Sequence, residues 1–323
     1  MMANVIGALT GRSRRFDGFA SSLELMHRAA FSLYPQQTAF HRWRRLRFYL
    51  RSAVTWDITV TWLRRCSSAM FHDIAQRHAT ILERMHRPFL YKKLGPRGRL
   101  AVSLDHYEIA LQRAPHLARR IVGEGHVPIA SFATGSERWW ISLEADMQFQ
   151  NEGDWTLAIR DEGGRRLVSC TFSFIYPRGK AGGARLCIGC VQGPDTRING
   201  REMFRALTKN WHGLRPKIFV VYLAQCVAEA LQIDETLIVS NRTHVYASWR
   251  YFLRKQRISA DYDALSRECG AVAQRDGWFV LGTQASLAPA EGSGRTKSGP
   301  RKKRNALRTN LAVQIMESIE ALG

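Results

Sequence analysis

Acidic residues are scarce in this sequence. Its 27 Asp and Glu stand against 48 Lys and Arg, a formal charge of +21 over 323 residues. Lysine is scarce as well: nine of the basic residues are lysine and 39 are arginine. Such a balance suits an anionic partner, whether nucleic acid, a membrane surface or a phosphorylated ligand. An arginine-rich genome and one basic tail would produce the same balance with no partner. Nucleic-acid motifs are missing: there is no RNP aromatic strand, no zinc-finger spacing and no GxxG clamp in a KH context. RNA binding by a post-transcriptional regulator therefore rests on charge alone. Long apolar runs are missing too. The nearest, Ile218 to Ala228, falls short of the roughly 18 residues that span a bilayer. The opening MMANVIGALTGRSRR puts its apolar residues before its arginines, the reverse of a secretory signal. The expectation is a cytoplasmic protein, peripheral at the inner membrane where its basic segments meet lipid.

Six cysteines, at 66, 170, 187, 190, 226 and 269, are too few and too scattered for a disulfide framework. Cys187 and Cys190 form one CxxC in RLCIGCVQG, without the second pair or the histidines that zinc requires. The segment reads as a strand, where positions i and i+3 face opposite sides. No metal is expected.

What is present is an ordinary globular composition, 45% hydrophobic. Residues 1–35 read as a variable, irregular leader. Residues 36–93 read as helical. There Arg42, Arg44, Arg45, Arg47 and Arg51 alternate with Trp43, Leu46, Phe48, Tyr49 and Leu50. That mixture can lie on an anionic membrane or bind an acidic protein. The commoner arrangement buries the apolar stripe and leaves the arginines solvated. A helix is expected after Gly95-Pro96, running to Pro115. Strands are expected at 138–149, 155–159, 167–175 and 185–191. The Asp161-Glu162-Gly163-Gly164 turn between the second and third makes the clearest hairpin. A helix over 199–212 stops at Gly213. Pro216 opens a helix that is apolar almost all round, so it should be central and buried. A short strand over 236–239 ends at Ser240-Asn241. A basic loop, a short helix near Asp261 to Glu268 and a last strand near Trp278 to Leu281 follow. Residues 283–310, rich in Gly, Ser, Ala, Pro and basic residues, are expected to be a disordered linker. Leu311, Ile315, Ile319 and Leu322 then mark a short amphipathic helix over 311–323. The fold class is α/β of the α+β type: a helix-rich N-terminal half, then a mixed, mainly antiparallel sheet with a buried helix.

Several short motifs follow one another in order along 36–282: Gln192-Gly193, Leu207-Thr208-Lys209, His212-Gly213-Leu214-Arg215-Pro216-Lys217, Ser240-Asn241, His244-Val245-Tyr246, Asp261-Tyr262-Asp263 and Asp276-Gly277. Upstream, Arg87-Pro88-Phe89-Leu90-Tyr91 and Asp105-His106-Tyr107 fit the same pattern. By these the chain resembles the bacterial VirK/YbjX family, DUF535. One departure is Ser266-Arg267-Glu268, where the family pattern has an aromatic before the Glu. The resemblance implies an accessory protein linked to virulence, antimicrobial-peptide resistance and envelope homeostasis. It implies no settled chemistry.

The best local site is the turn before the buried helix. Unpaired backbone amides at a helix start, with Gly213, Arg215 and Lys217, make a candidate phosphate or carboxylate site. Arg215 and Lys217 could equally pair with carboxylates of their own domain. The order hairpin, strand, charged turn, buried helix, strand and Ser-Asn resembles the core of a GNAT-type acyltransferase. By position, Asn241 would contact a cofactor arm, and Tyr246, or alternatively His244, would transfer a proton. The donor implied is acyl-CoA or an acyl carrier protein. The extra helix over 199–212 and the missing glycine spacing depart from that pattern. Asp105 and His106 read as structural, and Asp261 as a helix cap rather than a metal ligand.

Overall fold

The computed structural model describes residues 19–145, 147–177, 182–194, 200–248, 251, 261–282 and 299–323. They fall into two compact units, Met1–Arg87 and Pro88–Gly323.

The first unit is helical. Helix α1 runs over 19–33, so that part of the expected irregular leader is ordered helix; residues 1–18 lie outside the described residues. Helix α2 spans Ala39–Val54, α3 Trp56–Cys66 and α4 Ala69–Arg77, and a 3-10 turn covers Ala79–His86. Thr38 caps α2 by accepting from the His41 amide. Met26, Ala30, Tyr34, Phe48, Val60 and Leu63 form the core. The Tyr34 hydroxyl donates to the buried Glu83 carboxylate at 2.7 Å, and Arg87 closes on the same group.

The second unit is built on one eight-stranded sheet, in the order β1-β2-β3-β4-β5-β6-β8-β7. Its strands are β1 His126–Thr134, β2 Glu137–Glu144, β3 Trp155–Arg160, β4 Arg166–Ile175, β5 Arg185–Gln192, β6 Glu235–Val239, β7 Ala271–Arg275 and β8 Trp278–Leu281. Strands β1 and β7 are absent from the sequence reading. In β1, Pro128 and a register shift break the alternation, and in β7 four of five residues are exposed. The β3–β4 hairpin forms as expected, with Gly164 at φ +73° in its turn. Asp276 and Gly277, at φ +52° and +88°, make the tight β7–β8 turn.

Helix α5 (Pro96–Arg113) packs on β4, and α6 (Pro115–Glu124) packs on α5 and β1. Both begin with proline at the first helical position. His106 and Asp105 are structural, as expected. The His106 ring nitrogen accepts from the Phe174 amide at 3.1 Å, and Asp105 from the Tyr176 amide at 3.2 Å, fastening α5 to β4. Helix α7 is Gly200–Asn210, followed by Gly213 at φ +89°. Helix α8, Pro216–Ala230, is buried continuously from Phe219 to Ala228 and crosses β3, β4 and β5. Helix α9 is Tyr262–Glu268; Asp261 caps it, accepting from the Asp263 and Ala264 amides.

Helix α10 spans Gly299–Glu320. Residues 299–310, expected as disordered linker, are therefore helical, and the helix is longer than the 311–323 segment read from the sequence. Its Leu311, Ile315 and Ile319 are buried, and it packs against β1 and α8. That burial stabilises a stretch whose composition alone disfavours order. The remainder of the tail, 283–298, and the basic loop over 252–260 lie outside the described residues.

Candidate functional site

The sheet is antiparallel except between β5 and β6, which run parallel. Their pairing covers Arg185 to Ile188 against Glu235 to Ile238 and then stops. Beyond it, β5 continues to Gln192 with no partner on that side among the described strands. Helix α8 connects the two strands, so its N-terminus lies at their carboxyl ends. In open parallel sheets ligands collect where strands part at that end, and β5–β6 is the one parallel pair among the described strands.

A cleft of about 590 Å³ opens there between α7, the start of α8 and α9. Phe204, Pro216, Ile218 and Leu265 supply apolar lining, and Arg201, Arg205, Arg215 and Lys217 bring four cations. Arg201, Arg205 and Thr208 recur at helical spacing along α7. The acids of the cleft are engaged. Glu268 pairs with Arg215 at 2.7 Å, and Asp261 caps α9 and accepts from Asn241 at 2.7 Å. The expected alternative for Arg215, a carboxylate of its own unit, is thus realised. Lys217, Arg201 and Arg205 have no ion pair among the described residues. Burial lowers the Lys217 amine below its ordinary range, opposed by the neighbouring Cys190 thiol. Gly213, two residues before the Arg215 cap, is exposed and terminates α7 rather than lining the cleft.

On the far side of Cys190 is a buried polar cluster. Glu152 and His244 are each 1% exposed, and the carboxylate oxygen Oε1 stands 3.8 Å from the ring nitrogen Nε2. Neither atom has a hydrogen-bond partner. Burial raises the Glu152 carboxyl to about 7, against the pull of hydrogen bonds from Cys190 and Gln192. Burial lowers the His244 imidazole to about 4, although the Gly189 carbonyl favours its charged form. Both shifts favour the neutral form, an uncharged imidazole beside a protonated carboxyl. Tyr246 is half-buried beside them; its hydroxyl bonds to Asn151, and burial raises its pKa.

The local backbone explains this burial. A Cβ on Gly189 would collide with the Glu152 carbonyl oxygen, and one on Gly153 would meet the Phe172 backbone at 2.7 Å. The 152–153 loop therefore crosses directly over β4 and β5, and only glycine permits it. Leu90 donates to the Asn151 carbonyl, and Lys92 to that of Thr243, holding both loops to one segment.

The structure brings His244 and Tyr246 together and adds Glu152, Cys190 and Tyr262, none of which the sequence marked as a site residue. Asn241 is engaged in local hydrogen bonds. Its amide donates to Asp263 and its side chain binds Asp261 and the Tyr262 amide, so its polar atoms hold α9 to the loop after β6. Tyr262, next in sequence to the cleft residue Asp261, lies against the cluster. Its ring stacks on His244 at 4.8 Å, and its hydroxyl accepts from the Val191 amide of β5 at 3.3 Å. Glu152 and His244 sit in loops, where periodicity carries no signal; Gly189 inside a strand is the one local sign of a close approach. Among the described residues no cluster of His, Cys, Asp and Glu could hold a metal ion, and no helix is long and apolar enough to cross a membrane.

The family model described as "Protein of unknown function (DUF535)" matches residues 37–317. This chain belongs to the DUF535, or VirK/YbjX, family. The match runs past residue 282, where the resemblance was expected to end, and takes in most of α10. This DUF535 chain is 30% identical over 245 residues to "Uncharacterized protein YbjX" of Escherichia coli, covering 74% of this chain and 72% of that one. It is 27% identical over 223 residues to "Membrane protein LapB" of Mannheimia haemolytica, covering 65% and 88%. It is also 28% identical over 162 residues to a protein of Haemophilus influenzae, covering 50% and 49%. No solved structure matches this DUF535 chain.

Proposed function

We propose that this protein is an acyl-transfer enzyme acting on an envelope component, with an acyl thioester of coenzyme A or acyl carrier protein as donor. The observation that carries the reading is the parallel β5–β6 pair that parts after Ile188 and Ile238 beside a cationic cleft. An elongated thioester with a phosphorylated tail needs both an apolar channel and uncompensated cations. Lys217, Arg201 and Arg205 would take the phosphates, with the α8 amides assisting.

Glu152 or His244 would accept a proton from the acceptor's amine or hydroxyl as it attacks the thioester carbonyl. The C–S bond breaks as the new C–N or C–O bond forms, and the leaving thiolate takes a proton from Tyr246. The name of the LapB relative and the family's links to virulence and peptide resistance support an acceptor at the envelope.

The test is thermal unfolding of the full chain with acetyl-CoA and with long-chain acyl-CoA, beside Arg201→Ala/Lys217→Ala. A ligand bound only by the native state raises the midpoint. A rise that the variant loses is expected. A well-folded protein whose midpoint neither donor moves would overturn the reading.

A further inference from the structure

Helix α2 has its faces the wrong way round for a helix that simply covers a core. Its sequence, AFHRWRRLRFYLRSAV, contains five arginines and no acidic residue. The positions it buries are Arg45, Phe48 and Ser52. Arg45 is held there by the Tyr34 carbonyl at 2.7 Å, the Gln36 carbonyl at 3.3 Å and the Gln37 side chain at 3.2 Å. Its guanidinium also lies over the Phe31 ring, 4.2 Å from the centroid.

The outward face is apolar. Phe40, Trp43, Leu46, Leu50 and Val54 are all exposed, Trp43 and Leu50 at 58% and Val54 at 86%. Steps of three and four residues put them on one stripe, about 21 Å long at 1.5 Å per residue. Single exposed apolar residues need no explanation, but a continuous line of five large ones marks a contact surface. Arg42 flanks the stripe on one edge and Arg47 on the other. Arg44 stands over the ring of Phe40, 4.9 Å from its centroid, which keeps another cation beside the apolar line.

We propose that α2 is a membrane-docking helix that lies flat in the surface of an anionic bilayer. Trp43, Leu46 and Leu50 enter the acyl boundary while the flanking arginines meet lipid phosphates. The charge pattern selects this occupant. With no acid on the helix, every polar contact along the stripe favours an anion, and a straight apolar line between two cationic edges matches a planar interface. The proposal stands on the first structural unit alone and is independent of the chemistry at the cleft.

The experiment is flotation of the full-length protein with vesicles of phosphatidylcholine and with vesicles that also contain phosphatidylglycerol. It is run beside Trp43→Glu/Leu50→Glu and Arg42→Glu, with circular dichroism to check folding. Both sets of positions are exposed, so the variants should melt as the parent does. The expected result is flotation with phosphatidylglycerol vesicles only, weakened by salt. It should fall at least tenfold in the Trp43/Leu50 variant and severalfold in Arg42→Glu. Absence of flotation, or flotation that the Trp43/Leu50 variant retains, would overturn the proposal. So would a dimer by light scattering that the variant splits, since the stripe would then join two copies.

Discussion

Glu152 and His244 are neighbours whose burial pushes them in opposite directions, and each leaves a signature on stability. The Glu152 carboxyl titrates near 7 in the fold and near 4.5 in the unfolded chain. Between those values the native state holds more protons, so stability falls as pH rises from about 4.5 to about 7. His244 titrates near 4 in the fold and near 6.5 outside it, so stability falls as pH drops from about 6.5 to about 4. Each effect amounts to about 3 kcal/mol at most. Glu152→Gln removes the first and keeps the shape. Its stability relative to the parent is expected to increase between pH 5 and pH 8, read from denaturant midpoints. A difference that stays constant with pH would show that the carboxyl titrates normally. His244 and Tyr246 were legible because they follow a β-branched strand. Glu152 was not, because Asn151-Glu152-Gly153-Asp154 reads as an ordinary polar turn and its burial comes from a distant glycine.

Elements were legible where pattern and punctuation agreed. Pro216 before a continuous apolar run specified α8, and the Asp-Glu-Gly-Gly turn specified the β3–β4 hairpin. Two of the failures at this scale share a cause. In α2, composition could not say which face turns inward, since Arg45 finds carbonyl partners only once the loop before the helix is folded. In α10, the basic stretch over 299–310 is disfavoured by composition yet continues a helix anchored further on. Gln314 accepts from the Ser131 amide, Ser318 donates to the Ile129 carbonyl, and Tyr222 donates to the Arg308 carbonyl. Ile315, wholly buried, sits in the middle of these contacts. Ile315→Asp should cost about 3–5 kcal/mol by urea unfolding, from lost packing and a buried carboxylate. A loss under about 1 kcal/mol would mean that α10 peels away at little cost.

Across the molecule, all six cysteines are free and buried. Burial raises the thiol of Cys66 to about 12 and that of Cys269 to about 12, so neither is a ready nucleophile. The CxxC pair, Cys187 and Cys190, lies in the sheet interior, consistent with a strand rather than a redox or zinc motif. A colorimetric thiol reagent is therefore expected to label none of the six in the native protein and all six in denaturant. Rapid native labelling of one thiol would place a local opening at that strand or helix.

The sequence by itself determined the family, the α+β class, the buried α8 and the place of the cationic turn. Those follow from local pattern: residue order, periodicity, proline and glycine. Only the tertiary structure decided that β5 and β6 part after four residue pairs, that Glu152 faces His244, that Tyr262 stacks on His244, and that α2 turns its apolar stripe outward. Each of these depends on where a backbone from another part of the chain passes. Desolvation and close approach are properties of that meeting, and no local pattern encodes them.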